Sequence, residues 1–368
     1  MSDSDVTVAP TSTWTWIVPL AAVFLLLAKF LFPVAGSMAV WLDVLTLVTL
    51  FATVFASVYH AEIIAHSLGE PYGSLVLAAA VTVIEVALIV SVMLSGADGV
   101  SEIARDTVFA AVMIVLNGIM GVCLLAGGLR YYEQGFQVHG ATGALGVIGT
   151  LATLALILPN YTQAVPGPVY SASQLIFVAV VSLALYGLFL FVQTKRHRED
   201  FLDAEREGDA AHTAAPAGAM LAISWILLLV GLVCVILMAK SLTPSIESAV
   251  LGAGLPSAFV GVVIAVIVLL PEGLSALRAA KSNSLQTSLN LALGSALASI
   301  GMTIPAVAAV SLLIGLPMVL GLEPEHIVLL VLSLFISTLT LATGRTTVLQ
   351  GGLHLVIFAA FLVIAAVP

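Results

Sequence analysis

Long runs of apolar residues follow one another along almost the whole chain and are separated by short polar stretches. A run of about 20 apolar residues is long enough to cross a lipid bilayer as a helix. Helix is the expected state, because lipid offers no other partner for the backbone N–H and C=O groups of an unclosed chain. The pattern predicts eleven membrane-spanning helices, at residues 14–35, 37–58, 73–94, 108–126, 143–158, 175–192, 219–239, 259–279, 289–313, 327–342 and 348–367.

The composition supports this class of protein. The chain is 61% hydrophobic and only 8% charged, which excludes an ordinary soluble domain. The first residues, MSDSDVTVAPTSTWTW, hold no Lys or Arg. A secretory signal needs a basic start, so we interpret the first apolar run as a retained span. We predict an all-α polytopic membrane protein whose partner is the lipid bilayer. Nothing in the sequence suggests nucleic-acid binding. The pattern does not predict an oligomeric state.

The longest polar segment, KRHREDFLDAEREGDAAHTAAP, divides the chain into two parts. We expect an extra N-terminal helix (1–35), a first repeat (36–193), a cytoplasmic linker of mixed charge (194–218) and a second repeat (219–368). Cytoplasmic loops carry an excess of Lys and Arg. With the N-terminus in the cytoplasm, eight cations are cytoplasmic and three are external or at a span's end. We therefore predict a cytoplasmic N-terminus and an external C-terminus.

The two parts of the chain share a weak internal similarity. AVTVIEVALIVSVML and VIVLLPEGLSALRAA each place one carboxylate, Glu85 or Glu272, inside an apolar span. In the span that follows, Gly121 aligns with Gly301. If each repeat has five helices, the second must enter the membrane from the opposite side, because five is odd. The pattern predicts two inverted five-helix repeats plus an extra N-terminal helix, an architecture of many secondary transporters.

The two glutamates are the candidate site. A charged acid at the centre of a membrane helix costs about 2.5–3.5 kcal/mol on insertion scales. Burial and mutual repulsion both favour the protonated acids, and a divalent cation between the two carboxylates would displace those protons. Cation and proton would then compete for the same oxygens, as an antiporter requires. The alternative is structural, with each acid protonated and hydrogen-bonded to a neighbouring helix.

Two carboxylates do not complete a calcium site, because Ca²⁺ takes about 6–8 oxygen ligands. Hydroxyl and amide side chains could supply more, and the candidates are Thr82, Asn117, Ser275, Ser295, Ser299 and Thr303. Serine and threonine also hold membrane helices together, so helix packing explains each hydroxyl equally well. Pro271 and Gly273 flank Glu272, and they predict either a broken helix with free carbonyls or an ordinary proline kink.

A further polar cluster, HAEIIAH, stands at the cytoplasmic end of the second predicted span. His60, Glu62 and His66 could capture a cation or sense pH there. The spacing is not HExxH, so it does not predict a zinc protease. The alternative is a solvated helix end with no part in ion binding.

Three stretches resemble a known family: GEPYGSLVLAAAVTVIEVALIVSVML (69–94), RDTVFAAVMIVLNGIMG (105–121) and LLPEGLSALRAAKSNSLQTSLNLALGSALASIGMTIP (269–305). They are similar to the calcium/cation antiporter superfamily, in its cation/proton exchanger branch, and to the bacterial ChaA-type antiporters. The resemblance implies two α-repeats of opposite orientation, here about 69–121 and about 256–305, which each supply one acid to a central cation site.

Carried over to this chain, the resemblance implies that Glu85 and Glu272 are the two acids. It also implies that Asn117, Ser295 and Ser299 lie near the site. Plant and fungal exchangers of the superfamily have a Gly-Asn start and a Glu-His pair in these repeats, which this sequence lacks. Na⁺ and K⁺ therefore stay open as substrates beside Ca²⁺.

We predict a secondary active Ca²⁺/H⁺ antiporter of the bacterial inner membrane that exports cytoplasmic Ca²⁺ by alternating access. The alternative is a Na⁺(K⁺)/H⁺ antiporter that uses the same site. A cation channel would need a continuous polar stripe, whereas these spans show isolated polar residues. An intramembrane enzyme would need a nucleophile with its base or an HExxH arrangement, and the sequence shows neither pattern. We expect no catalytic residue and no cofactor, with the transported ions as substrates.

Overall fold

The computed structural model describes residues 13–32, 36–68, 72–93, 100–202, 218–315 and 318–367. Within them the chain is almost entirely helical, with two short strands, β1 (Gln134–Gly135) and β2 (Arg345–Thr346). The helices are α1 (Trp14–Leu31), α2 (Ser37–Leu68), α3 (Tyr72–Met93), α4 (Val100–Met113), α5 (Met120–Tyr131), α6 (Val138–Ala152), α7 (Ala172–Phe191), α8 (Gly218–Gly252), α9 (Phe259–Lys281), α10 (Leu285–Ala298), α11 (Ile304–Ile314), α12 (Pro324–Leu341) and α13 (Val348–Ala366).

Wide π-helical turns join two pairs of these helices without a break. The Asn117 turn (Ile114–Ile119) joins α4 to α5, and the Ser299 turn (Ser299–Thr303) joins α10 to α11. With each joined pair counted once, ten described helices are long and apolar enough to cross a membrane. The 22-residue α3, which carries Glu85, is the eleventh. The predicted all-α membrane fold is therefore confirmed.

Two helices extend well beyond their predicted spans. α2 ends at Leu68 rather than at residue 58, and α8 ends at Gly252 rather than at residue 239. Hydropathy marks where an apolar run ends, whereas a helix continues as long as its residues tolerate helical geometry. HAEIIAH consequently lies inside α2 and not beyond its end.

The chain divides into two compact units. The first contains Met1–Ile84 and Glu205–Ser245, which include α1, α2, the start of α3 and most of α8. The polar contacts of Lys29, near the end of α1, join three of these helices. Lys29 Nζ lies 2.8 Å from Asp43 Oδ1 on α2 and donates a hydrogen bond of 2.7 Å to Ser241 Oγ on α8. The extra N-terminal helix α1 is thereby tied to both.

The second unit contains Glu85–Ala204 and Ile246–Pro368, and the joined helix α4–α5 is its most enclosed span. Two glycines let helices pack closely onto the π turns and their surroundings. A Cβ added at Gly121 would lie 3.1 Å from the His354 Cβ on α13, and one at Gly301 would lie 2.8 Å from the Tyr186 Cβ on α7. The alignment pairs these two glycines, and each contacts the last helix of the other predicted repeat.

Two short antiparallel pairings in this unit also fit the repeat. β1 pairs with β2, which joins the α5–α6 loop to the α12–α13 loop. Val169 pairs with Val319, which joins the α6–α7 loop to the α11–α12 loop. If the two predicted repeats correspond helix by helix, the α5–α6 loop corresponds to the α11–α12 loop, and the α6–α7 loop corresponds to the α12–α13 loop. Each of the two pairings is then the counterpart of the other. The boundaries of the predicted regions themselves stay a prediction.

We expect Gly301→Ala to lower the free energy of unfolding by about 1–3 kcal/mol, because the new methyl group would overlap Tyr186. Gly146→Ala is the matched control, since a Cβ at that helical glycine meets nothing within 4 Å. It should be neutral or stabilising by up to about 1 kcal/mol. Thermal unfolding of the purified proteins in detergent compares the two, and equal midpoints would contradict the packing described above.

Candidate cation site

Glu85 lies in the second half of α3 and is almost fully buried, with 5% of its surface exposed. Its Oε1 accepts a hydrogen bond from the Ser299 hydroxyl in the Ser299 turn. Buried polar groups are stable only when they are partnered, and this hydroxyl provides one partner. The contact joins the acid of the first predicted repeat to the π turn of the second, over 214 residues of sequence.

Glu272 lies on α9, and its carboxylate has a different environment. Both of its oxygens are buried, and no other described residue donates a hydrogen bond to either of them. The two carboxylates are close enough to repel each other. A charged carboxylate that lacks a hydrogen-bond donor and lies near a second charged carboxylate is strongly unfavourable in a low-dielectric interior. Glu272 therefore requires either a proton of its own or a cation shared with Glu85.

The residues that flank Glu272 do not break its helix. α9 runs without interruption from Phe259 to Lys281, with Pro271 inside it. Of the two alternatives for this proline, the broken helix is wrong. The irregular backbone lies instead in the Asn117 and Ser299 turns, on the partner helix of each pair. Such π turns are frequent at functional sites, because they change the helical register and loosen its backbone hydrogen bonds.

The Asn117 turn packs against the helix that carries Glu272. A Cβ added at Gly273 would lie 3.2 Å from two side-chain atoms of Ile119, the last residue of the turn. Asn117 itself is completely buried, and its amide nitrogen donates a hydrogen bond of 2.8 Å to Ser333 Oγ on α12. Its Oδ1 lies 3.2 Å from His354 Nδ1 on α13. The structure thus places Asn117 in a polar network beside the site, and its role as a cation ligand stays a prediction.

The remaining candidate hydroxyls differ in their surroundings. Thr303 is fully buried in the Ser299 turn, and its hydroxyl has no hydrogen-bond partner among the described residues. Ser295, one turn before Ser299, and Ser275, one turn after Glu272, are half-buried. Thr82 is buried on α3, one turn before Glu85, and belongs to the first unit. Ligation by these four hydroxyls stays a prediction.

The histidine cluster in HAEIIAH lies in the first unit. His60 is buried, with Nε2 3.1 Å from the Thr15 carbonyl oxygen and Nδ1 3.3 Å from Ser224 Oγ. The alternative of a solvated helix end is therefore wrong for His60, because α1 and α8 cover it. Glu62 is half-buried, and the side chain of His66 lies outside the described residues. A cation-binding or pH-sensing role for the three residues stays a prediction.

Sequence reasoning did not single out His354, which is fully buried on α13. It interrupts an apolar run, and that is the signal that also identified Glu85. Arg105 forms a buried ion pair of 2.7 Å with Asp106, a pairing that the sequence analysis did not predict. Among the described residues, no group of three or more His, Cys, Asp or Glu side chains comes together as metal ligands. A cation at Glu85 and Glu272 must therefore draw its other ligands from hydroxyl, amide or backbone oxygens, or from water.

Comparison with known families decides the identity of the chain. The family described as sodium/calcium exchanger protein matches residues 38–195 and 223–367, which is most of the sequence. The chain belongs to this family. It is therefore a multi-pass membrane transporter that exchanges cations, and not an enzyme. The resemblance inferred from the three sequence stretches is confirmed.

Three relatives are informative. Protein y4hA of Sinorhizobium fredii is 51% identical over 355 residues, which cover 96% of both chains. The sodium-potassium/proton antiporter ChaA of Escherichia coli is 35% identical over 324 residues, 87% of each chain. A Ca²⁺/H⁺ antiporter of Aphanothece halophytica is 28% identical over 288 residues, 74% of this exchanger and 77% of that relative.

A solved structure supports the fold. The structure of native YfkE matches with a TM-score of 0.71, covering 96% of this exchanger and all of that chain, at 19% sequence identity. At this level of identity the likeness concerns the fold alone. It agrees with the helical membrane architecture described above.

We expect Ser299→Ala to raise the apparent KM of the exchanger for its cation by about tenfold or more. The substitution removes the hydroxyl that Glu85 accepts from, and a hydrogen bond to a charged group contributes about 1.5–3 kcal/mol. Ser299→Thr keeps a hydroxyl and should stay close to wild type. Cation-dependent fluxes in vesicles measure both variants, and an unchanged KM in Ser299→Ala would remove Ser299 from the site.

Proposed function

We propose that this exchanger is a Ca²⁺/H⁺ antiporter in which Ca²⁺ and protons compete for Glu85 and Glu272. One observation carries the proposal: the Glu272 carboxylate is buried, lacks a hydrogen bond from any other described residue and lies near a second buried carboxylate. A site of this kind is unstable when it is empty and charged. Such a site binds positive charge, and the two kinds of positive charge that fit between carboxylates are protons and metal cations.

Charge balance explains why exchange would be coupled. Two bound protons neutralise both carboxylates, and one Ca²⁺ neutralises the same two charges. Either loaded state can pass through the low-dielectric centre of the protein, whereas the empty site keeps two uncompensated charges in hydrocarbon. Alternating access then occurs only with a loaded site, and each Ca²⁺ that leaves is replaced by protons.

The surrounding residues would complete the coordination of Ca²⁺. The Ser299 hydroxyl already contacts Glu85. Thr303 lies four residues further along the Ser299 turn, and its hydroxyl has no partner in the part of the chain that the structure describes. Ser295, Ser275, Thr82 and Asn117 are further candidates. Backbone carbonyls of the two π turns and water could provide the rest of the oxygen ligands that Ca²⁺ takes. No resident cofactor takes part in this mechanism.

The direction of transport follows from orientation. We place the protein in a bacterial inner membrane with a cytoplasmic N-terminus and an external C-terminus, because that arrangement puts eight of the eleven Lys and Arg residues on the cytoplasmic side. An inward proton gradient would then drive cytoplasmic Ca²⁺ outward through the site.

A second candidate is Na⁺(K⁺)/H⁺ exchange at the same two glutamates. The relative at 35% identity is named a sodium-potassium/proton antiporter, whereas the relative named a Ca²⁺/H⁺ antiporter is 28% identical. With a monovalent cation, one carboxylate would hold the cation and the other would keep a proton. The site stays neutral in both states, but a single proton is exchanged for each cation.

We expect Glu85→Gln and Glu272→Gln each to abolish proton-coupled cation exchange. Both substitutions keep the size of the side chain and remove the charge that protons and cations share. The assay uses inverted vesicles with an imposed proton gradient and a pH-sensitive dye, to which Ca²⁺, Na⁺ and K⁺ are added in turn. Dequenching by Ca²⁺ supports the first candidate, and dequenching by Na⁺ or K⁺ alone supports the second.

Glu133→Gln is the matched control, because Glu133 is an exposed loop acid whose pairing with Arg345, at 3.2 Å, lies at the surface. It should exchange cations like wild type. Full activity in Glu85→Gln and Glu272→Gln would show that the two buried acids are structural, and the proposed site would then be wrong.

A further inference from the structure

His354 on α13 is fully buried, and each of its ring nitrogens lies within hydrogen-bonding distance of a polar side chain. Nδ1 lies 3.2 Å from Asn117 Oδ1, and Nε2 lies 3.1 Å from Thr340 Oγ1 on α12. The imidazole therefore contacts the π turn through the Asn117 side chain.

The hydrogen bonds of this network fix one consistent arrangement. Ser333 donates its hydroxyl proton to the Leu329 carbonyl at 2.7 Å, so its oxygen is free to accept from the Asn117 amide nitrogen. The Asn117 oxygen then faces His354, and it requires a donor there. A neutral imidazole with its proton on Nδ1 supplies that donor, while Nε2 accepts from the Thr340 hydroxyl.

The network is held rigidly against the site. Gly121 brings the His354 Cβ within 3.1 Å of the position that a Cβ on α5 would occupy, so α13 lies directly on the α4–α5 helix. Two residues before Gly121, the last residue of the Asn117 turn, Ile119, packs on Gly273, next to Glu272. A change in the conformation of the turn would thus reach Glu272 through the contact between Ile119 and the neighbouring Gly273. Networks of this kind behind a metal site orient its ligands.

We propose that His354 is a positioning residue for the cation site: its Nδ1 contact holds the Asn117 turn in the conformation that binds the cation beside Glu272. This inference rests on the proposed function. The imidazole touches neither the cation nor the protons that are exchanged, and its effect passes through Asn117. Residues that orient metal ligands typically change metal affinity by about 10–100-fold when they are removed.

Two amide substitutions separate the contacts of His354. An asparagine amide reaches approximately the position of Nδ1, whereas a glutamine amide reaches approximately that of Nε2. His354→Asn should therefore keep the contact with Asn117, and His354→Gln should keep only the contact with Thr340. We expect His354→Gln and His354→Leu to raise the Ca²⁺ KM by about tenfold or more with Vmax within about twofold of wild type. His354→Asn should stay within about threefold of wild-type KM.

The measurement is Ca²⁺-dependent proton flux in inverted vesicles, repeated with Na⁺ and with K⁺, at equal amounts of protein in the membrane. Ser337→Ala is the matched control, because Ser337 is a fully buried hydroxyl on α12 with no partner among the described residues. It should leave KM unchanged. If His354→Leu does not accumulate in the membrane, Ser333→Ala decides, since it removes the other partner of the Asn117 amide and should also raise KM.

Three results would overturn the inference. An unchanged KM in His354→Gln, or in Ser333→Ala, would show that the network does not position the site. A fall in Vmax at constant KM would assign His354 to turnover instead of to cation binding. Equal KM increases in His354→Asn and His354→Gln would show that the Nδ1 contact is not the one that matters. If wild type moves none of the three cations against protons, the proposed function fails, and this inference fails with it.

Discussion

The structure depends on one electrostatic constraint, which is that two carboxylates lie buried near each other inside an apolar membrane protein. Glu85 receives a hydrogen bond from Ser299, and Glu272 receives none from any other described residue. Such a pair is stable only with positive charge between or upon the two groups. In the proposed function, this condition would link ion binding to proton binding at the two buried acids.

The scaffold around the acids is built to hold irregular backbone in a fixed place. Each glutamate helix has a partner helix interrupted by a π turn, and each of these partner helices carries a glycine that admits the last helix of the other predicted repeat. Gly121 brings α13 and His354 onto the helix of the Asn117 turn, and Gly301 brings α7 onto the Ser299 turn. Close packing of this kind without large side chains is typical of helices in membranes. It lets the protein hold polar groups at the site on helical backbone.

Much of this could be predicted from the sequence, and the parts that could not have physical reasons. Glu85 and Glu272 stand out because a charge in an apolar span is costly, and the eleven spans follow from hydropathy. The partners of Asn117 could not be found in this way, because Ser333 and His354 lie 216 and 237 residues away. Pro271 suggested irregular backbone in α9, whereas the π turns lie in the partner helices. A proline can be recognised in a sequence, but a π turn cannot. The polar sequence around His60 is typical of a solvated helix end, but contacts with α1 and α8 bury this histidine.

The most direct test of the central claim is the number of protons released when Ca²⁺ binds to the purified exchanger in a weakly buffered detergent solution. Metal binding to protonated ligands displaces their protons. If Ca²⁺ and protons share Glu85 and Glu272, saturating Ca²⁺ should release about two protons per ion at a pH where the empty site is protonated. Tight Ca²⁺ binding without any proton release would contradict the account, because the two acids could not then be the shared site.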